Sequence, residues 1–390
     1  MLFTEELSGI NSIVIGLVIA VILIAINYIL AKATPALKEI RILVIISIMI
    51  GYVYWGFEPF AHNEMHPPVA DASYEFDGKG DIEQIHAEIA QMKKDVAKQQ
   101  AKGVDTTTLE SLIAPLEERA EATTVFWDRV SEISTLKGDV TTGKSSVEAN
   151  CLACHSMDVE GYPAMMSDAD SAATYGVVPP DLSLSGRIYD AQFLAALIVD
   201  PVKAMHVEHK FPADGATMFP MPASDWMENQ EVSDIVAYLV EVSKNVKAPE
   251  VAEDATSFEI SKAHNKQVFE AACMRCHDMT YAGIAAQTPA NTIKDYIGAT
   301  PPDLSQYIKS RGDEFLHNFI NDPQRKLPAT GMPRVGLTLE AEKQVVEYMT
   351  QIGDSKKDER EALGPIVIFY MVILSIFAYL WKKQIWRKLH

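Results

Sequence analysis

Two copies of a Cys-x-x-Cys-His pentapeptide contain every cysteine of this 390-residue chain. The copies consist of Cys151, Cys154 and His155, and of Cys273, Cys276 and His277. On a helical turn, positions i, i+3 and i+4 share one face, so two thiols can reach the vinyl groups of a porphyrin while the imidazole lies beneath the iron. The pattern predicts two covalently attached c-type haems, with His155 and His277 as proximal iron ligands.

Two other uses of paired cysteines compete with this interpretation: a redox-active Cys-x-x-Cys and two halves of a zinc site. A redox-active pair does not need a histidine at the fifth position. A zinc site does not explain why the residues that follow each pentapeptide are also repeated. Haem attachment explains both observations.

An internal repeat follows the two motifs. Adding 122 to a residue number carries the first motif onto the second and keeps the register for about fifty residues. The matching positions include Pro-Pro-Asp-Leu-Ser at 179–183 and 301–305, Asp200 and Asp322, and Pro201 and Pro323. The offset then falls to 111 at Met221 and Met332. The first copy therefore contains about eleven additional residues, somewhere between Val202 and Thr217.

A Met-Pro pair lies at the same place in each repeat, just before the last predicted helix. Met221 and Met332 are predicted to be the sixth iron ligands, because a thioether raises the haem potential and suits electron transfer. The first repeat contains rivals to Met221 within or near its additional residues: Met205, His206, His209 and Met218.

A proximal histidine also needs a partner for the ring nitrogen that does not bind iron. Pro180 and Pro302 occupy matching positions, each two residues before a leucine. We expect their backbone carbonyls to accept a hydrogen bond from His155 and His277. A repeated proline would then have a specific structural role.

The charge of the chain limits its partners. It has 53 acidic and 34 basic residues, for a formal net charge of −19. Binding to nucleic acid requires clustered Lys and Arg, so this charge argues against nucleic acid as a partner. The charge instead favours encounter with basic proteins.

Three apolar stretches, at 13–30, 42–57 and 366–380, are predicted to be membrane spans, and the length of the first suits a bilayer. Basic residues are enriched on the cytoplasmic side of membranes. They lie between the first two stretches and after the third: Lys32, Lys38, Arg41, Lys382, Lys383, Arg387 and Lys388. We therefore expect a bacterial inner-membrane protein with a periplasmic N-terminus, periplasmic haem domains and a cytoplasmic C-terminus.

The fold is predicted to be all-α, in five regions. These are two membrane helices at 1–60, a periplasmic linker with a helical hairpin at 61–137, a first repeat domain at 138–247, a second at 248–356 and a membrane anchor at 357–390. The hairpin, at 81–129, has apolar residues at helical spacing. It is interpreted either as a docking surface or as a stalk that packs on itself or on the repeat domains. Short helices at 145–149 and 265–271 are expected to lead into the motifs.

Both repeat domains resemble class I cytochrome c, in which Cys-x-x-Cys-His is followed by Pro-x-Leu, Met-Pro and a closing helix. The whole chain resembles the di-haem cytochrome c1 subunits of the cytochrome bc complexes of epsilon-class proteobacteria. The segments that carry this resemblance are 54–62, 175–183, 331–337 and the basic C-terminal anchor.

The resemblance implies two tandem cytochrome c domains with two haems and a one-electron relay without a substrate site. It implies a cytochrome b subunit and a Rieske iron-sulfur protein as partners, and a soluble cytochrome c or terminal oxidase as acceptor. The main alternative is the di-haem subunit of a cbb-type haem-copper oxidase, whose pattern has no C-terminal span. A di-haem peroxidase would require one repeat to lack its methionine, and neither repeat does.

Overall fold

The computed structural model describes residues 18, 21–29, 38–53, 75–212 and 218–389. Much of the predicted span at 13–30 is therefore covered, but its first residues are not. The segment at 54–62 and part of the additional residues of the first repeat lie outside the described residues. The chain divides into two compact units, Met1–Ala70 and Asp71–His390.

The first unit contains helical residues at 21–29 and helix α1, Lys38–Tyr52. The side chain of Arg41 donates a hydrogen bond from Nε to Asn27 Oδ1 over 3.4 Å, which joins the two helical segments. The described parts of both predicted N-terminal spans are thus helical.

The second unit begins with the hairpin, formed by α2 (Lys79–Gln100), α3 (Thr107–Ser111) and α4 (Ile113–Thr135). Away from the repeat domains, the hairpin packs on itself through Ile85, Ile89 and Ala120. The other end of α4 buries Trp127 and Val130, with their neighbours, in the core of the first repeat domain. The hairpin thus packs both on itself and on the first repeat domain, as the stalk interpretation expects.

The two repeat domains are helical, and the described residues contain only isolated β-bridges besides helices. The first domain contains α5 (Val140–Asn150), α6 (Asp168–Tyr175), α7 (Ser185–Ile188), α8 (Ala191–Val199), α9 (Pro201–Ala204) and α10 (Asn229–Ser243). The second contains α11 (Ser257–Cys273), α12 (Ala290–Ile297), α13 (Tyr307–Arg311), α14 (Asp313–Ile320), α15 (Pro323–Lys326) and α16 (Leu339–Gly353). A 3₁₀ turn follows each motif, at Asp158–Glu160 and Thr280–Ala282.

The first and last helices cross closely in each domain. A Cβ atom at Gly143 of α5 would overlap the carbonyl of Asp234 in α10, so glycine is what permits this approach. In the second domain Phe269 of α11 packs against Tyr348 of α16, with ring centroids 5.2 Å apart. These crossings fix the helix ends from which the motifs project.

The helices that lead into the motifs are longer than expected. The predictions of 145–149 and 265–271 were too short, because both helices begin at polar caps that apolar spacing does not reveal. Asp139 accepts a hydrogen bond from the Thr142 amide over 2.8 Å. Thr256 and Glu259 form a reciprocal capping box at the start of α11.

The two repeat domains share one hydrophobic core. Backbone hydrogen bonds cross between them, from Asp190 to the Gly336 carbonyl over 3.0 Å and from Thr338 to the Ile188 carbonyl over 2.9 Å. Gly336 has a φ of 72°, and a side chain there would overlap the Phe193 ring. Glycine is therefore required where the second domain approaches the first.

The last helix, α17, spans Lys357–Leu389. The segment Lys357–Arg387 is long and apolar enough to cross a membrane. None of its apolar stretch is buried against the rest of the described chain. It is the one helix among the described residues with this property. The helix extends well beyond the apolar stretch predicted at 366–380.

Candidate haem-attachment sites

Each Cys-x-x-Cys-His motif forms a helical turn at the end of the first helix of its domain. The His155 amide donates to the Cys151 carbonyl over 3.0 Å, and the His277 amide donates to the Cys273 carbonyl over the same distance. This i to i+4 bond brings the first thiol and the imidazole to one face of the turn. The backbone thus has the geometry that two thioether bonds and one axial ligand require.

The imidazole of each motif is held by the predicted proline. His155 Nδ1 donates to the Pro180 carbonyl over 2.9 Å, and His277 Nδ1 donates to the Pro302 carbonyl over 2.9 Å. The prediction from the repeat is confirmed. Burial lowers the pKa of both imidazoles, which favours the neutral form. Each ring therefore keeps Nε2 available as a metal ligand.

An aspartate next to each proline fixes the loop that carries the carbonyl. Asp181 accepts hydrogen bonds from Ser156 Oγ over 2.8 Å and from the Asp158 amide over 2.9 Å. Asp303 accepts from the side chain and amide of Thr280. Sequence reasoning missed this role, although the repeat of Pro-Pro-Asp-Leu-Ser was the signal that could have revealed it. The aspartate ties the proline loop to the turn that follows the motif.

The Asp303 contacts predict a dependence of stability on pH. Burial acts to raise the pKa of Asp303, but hydrogen bonds from Ser305 and Thr280 outweigh it and lower the pKa from 3.8 to about 2. A pKa that is lowered in the folded state stabilises the fold at pH values above the ordinary pKa of the group. This contribution to stability is lost as the pH falls from about 4 to about 2. We expect Asp303→Asn to lower the melting temperature at pH 7 by several degrees.

Thermal unfolding followed by circular dichroism at a series of pH values measures this effect. The difference between Asp303→Asn and the unmodified chain should shrink as the pH approaches 2, because the native carboxylate is then protonated as well. Asp295→Asn, at an exposed position of the same domain, is the control. A difference that does not change with pH would contradict the proposed role of the Asp303 charge.

The thiols do not resemble a redox-active pair. Burial raises the pKa of Cys151 to about 11 and that of Cys273 to about 12. A reactive dithiol needs a lowered thiol pKa. The described residues also contain no group of three or more His, Cys, Asp or Glu side chains placed to hold a metal ion, so the motifs do not meet in one zinc site.

The sequence model of the cytochrome c family matches this chain twice, at residues 140–243 and 263–353, which together make up half of its length. The chain belongs to the cytochrome c family. Its two cytochrome c domains bind two covalently attached haem c groups, and its chemistry is haem-based electron transfer. No curated protein and no solved structure matches the chain.

The predicted axial methionines lie in corresponding loops of the two cytochrome c domains. Met221 and Met332 are each half-buried in the loop before the closing helix, α10 or α16. The Met332 loop is further held by the side chain of Gln324, whose Nε2 donates to the Met332 carbonyl over 3.0 Å. Both residues remain the predicted sixth ligands.

The rivals of Met221 have other surroundings. His206 donates from Nε2 to Asp81 over 2.8 Å, and His209 donates from Nε2 to the Thr330 carbonyl over 3.1 Å. Met218 is 82% exposed. Either histidine would have to give up a hydrogen bond to bind iron through Nε2, whereas Met221 has the place in the repeat that corresponds to Met332.

The surroundings of the second motif fit a buried anionic group. The Tyr189 hydroxyl, the Tyr296 hydroxyl and the Arg275 Nε are buried without a hydrogen-bond partner among the described residues. Burial raises the pKa of Tyr189, and the charge of nearby Arg275 opposes that rise. An unpaired buried donor costs about 1–3 kcal/mol. The carboxylates of a haem are groups that could accept from these donors, so the residues fit the cofactor.

The residues of each motif and its proline loop therefore have specific roles in binding haem. Cys151 and Cys154, or Cys273 and Cys276, would hold the macrocycle, and the proline carbonyls orient the imidazoles that would be the proximal ligands. When bound, haem supplies a reversible one-electron couple at its iron. The protein fixes the imidazole tautomer through the proline carbonyl and buries the imidazole, and both factors contribute to a haem potential.

Proposed function

We propose that this chain is the membrane-anchored di-haem cytochrome c1 subunit of a cytochrome bc complex. In this role it relays electrons from a Rieske iron-sulfur protein to a soluble cytochrome c or a terminal oxidase during quinol oxidation. The cytochrome b subunit is its neighbour in the membrane. The resemblance to the subunits of epsilon-class proteobacteria motivates the proposal, and the C-terminal helix is the observation that carries it.

The start of α17 is joined to the second cytochrome c domain by ion pairs. Arg360 binds both carboxylate oxygens of Asp354 over 2.8 Å, and Lys357 binds Asp313 over 3.2 Å. Charged pairs at exposed positions contribute little to stability individually, but several of them restrict the direction of the helix. The apolar part of α17 thus continues directly from the domain, which supports a cytochrome c domain held at the membrane surface.

The same helix favours a bc complex over the second candidate, a subunit of a cbb-type oxidase. That subunit has two cytochrome c domains after N-terminal spans but no C-terminal span. The basic residues Lys382, Lys383 and Arg387 lie at the far end of α17. With that end in the cytoplasm, both cytochrome c domains lie in the periplasm.

Purification of the full chain in mild detergent tests the proposal. We expect a cytochrome b and a Rieske protein to co-purify at a fixed ratio to the chain. A quinol should then reduce both haems, and loss of the Rieske protein should stop that reduction. Recovery with a copper-containing oxidase subunit would overturn the proposal in favour of the second candidate.

The acidic charge predicts how electrons leave. With a net charge of −19, the chain attracts a basic soluble cytochrome c, and dissolved salt screens this attraction over about 8–10 Å. We expect electron delivery to that acceptor to slow markedly as ionic strength rises. Transfer from the Rieske partner in the same complex should barely change.

Stopped-flow reduction of the acceptor over a series of salt concentrations measures the difference. An acidic soluble cytochrome c of similar potential is the control, since its reduction should not slow with salt. A flat response with the basic acceptor would show that electrons leave through a tethered or apolar contact instead.

A further inference from the structure

The hairpin, the additional residues of the first domain and the Met332 loop meet at one carboxylate. Asp81, in the first turn of α2, has only 10% of its side chain exposed. It accepts from both terminal nitrogens of Arg334, over 2.7 and 3.1 Å, and from His206 Nε2 over 2.8 Å. Arg334 is 7% exposed, and a second carboxylate, that of Asp322, lies 3.9 Å away.

This contact lies in the loop of the predicted axial ligand, because Arg334 is two residues after Met332. The loop is also held by backbone groups: the Arg334 amide donates to the Met205 carbonyl over 3.0 Å. On the other side of Met332, His209 donates to the Thr330 carbonyl over 3.1 Å. Residues of the first domain and of the hairpin therefore hold the Met332 loop on both sides of its methionine.

The backbone at this contact is unusual. Within the described part of the chain, two residues other than glycine have positive φ, His206 at 58° and Ala329 at 62°. Both lie at the edges of the contact. Such conformations persist where the surrounding structure holds them in place, and they cluster where position matters.

Among the described residues of the first domain, these contacts have no counterpart. The position that corresponds to Arg334 is Ala223, which cannot form an ion pair. The segment between Val202 and Thr217, which contains His206 and His209, is about eleven residues shorter in the second copy. The difference between the repeats thus has a structural meaning: the insertion in one domain supports the ligand loop of the other.

We propose that Asp81 is a positioning residue that holds the Met332 loop through Arg334, so that the hairpin sets the axial ligation and potential of the second haem. The Asp81 carboxylate accepts both hydrogen bonds that the buried guanidinium donates to a carboxylate, whereas Asp322 lies at the limit of an ion pair, 3.9 Å away. Arg334 donates two parallel hydrogen bonds to Asp81, and this bidentate geometry fixes the direction of the contact as well as its distance. The inference does not depend on the cytochrome bc assignment.

Asp81→Asn in the full haem-loaded chain tests this role. We expect the Met-to-iron charge-transfer band of one haem to weaken and the midpoint potential of that haem to fall, with the other haem unchanged. Imidazole should displace the loosened methionine several-fold faster than in the unmodified chain. Asp81→Glu, which keeps the carboxylate, should restore part of each property.

Two further variants keep the test decisive. Lys93→Gln, which removes an exposed ion pair with Glu117 inside the hairpin, is the matched control and should leave both haems unchanged. Asp81→Asn with Arg334→Gln removes both charges of the bidentate pair and leaves Asp322 with Arg325 at 3.9 Å, so it should fold even where the single variant does not. This double variant should still show the weakened Met-to-iron band, because the ion pair that holds the Met332 loop is lost.

The Met332→His variant separates failure of this proposal from failure of the ligand assignment. One outcome contradicts the positioning role. In it, Met332→His removes the band, but a correctly folded Asp81→Asn variant keeps the band, the potential and the imidazole binding rate of the unmodified chain. Equal changes in both haems would also overturn it, since they would indicate general loosening. If Met332→His changes nothing, Met332 is not the ligand and the proposal falls for that reason.

Discussion

Substitution of both thiols of the second motif, Cys273→Ala with Cys276→Ala, is expected to halve the covalent haem content of the chain. The unmodified protein should contain two haems, both covalent, because each cytochrome c domain has its own motif. Cys151→Ala with Cys154→Ala is the matched variant and should remove the other half. Pyridine haemochrome absorbance and haem staining after denaturing electrophoresis measure these amounts.

The loss should also unfold the second domain, since a porphyrin forms much of the core of so small a domain. Limited proteolysis should then cut within residues 257–353, while the first domain keeps its haem. Some loosening of the first domain is expected too, because Ile188 and Asp190 bond to the second domain and the two share one core. Full covalent haem in either double variant would contradict the assignment of the motifs.

The features that the sequence predicted are of two kinds. They involve residues that are close along the chain, or residues that recur in both repeats. The helical turn of each motif and the hairpin spacing follow from local periodicity. The proline carbonyls that hold His155 and His277 were predicted because the same residues recur at the same offset. Repetition thus gave information about contacts 25 residues apart that a single copy would not give.

The interactions that sequence reasoning missed are those without a periodic or repeated signal. Asp81 and Arg334 are 253 residues apart and occur once each, so nothing in the sequence indicates that they pair. The backbone bonds between Asp190 and Gly336 depend on how the two domains pack. The polar caps at Asp139 and Thr256 lie outside the apolar pattern, and helix lengths were underestimated for that reason.

Replacement of Met332 by histidine is expected to lower the potential of one haem and to abolish its Met-to-iron charge-transfer band. Imidazole stabilises the ferrous state less than a thioether does. The axial ligand contributes to a range of about 0.8 V in haem potentials, so a shift on the order of 0.1 V or more is expected. Redox titration followed by optical spectroscopy measures both properties. Leu327→His, at an exposed position of the same domain, is the control.

Met221→His should have the same effect on the other haem, and Met221→Ala identifies the ligand of the first domain. If Met221 binds iron, the alanine variant loses one band and leaves a haem that binds added imidazole readily. If both spectra are unchanged, one of the rivals is the ligand instead. His206→Gln and His209→Gln then test the two histidines among these rivals, and His206→Gln has a second consequence. Because His206 also bonds to Asp81, a change confined to the second haem would indicate support of the Met332 loop, whereas a change in the first haem would indicate ligation.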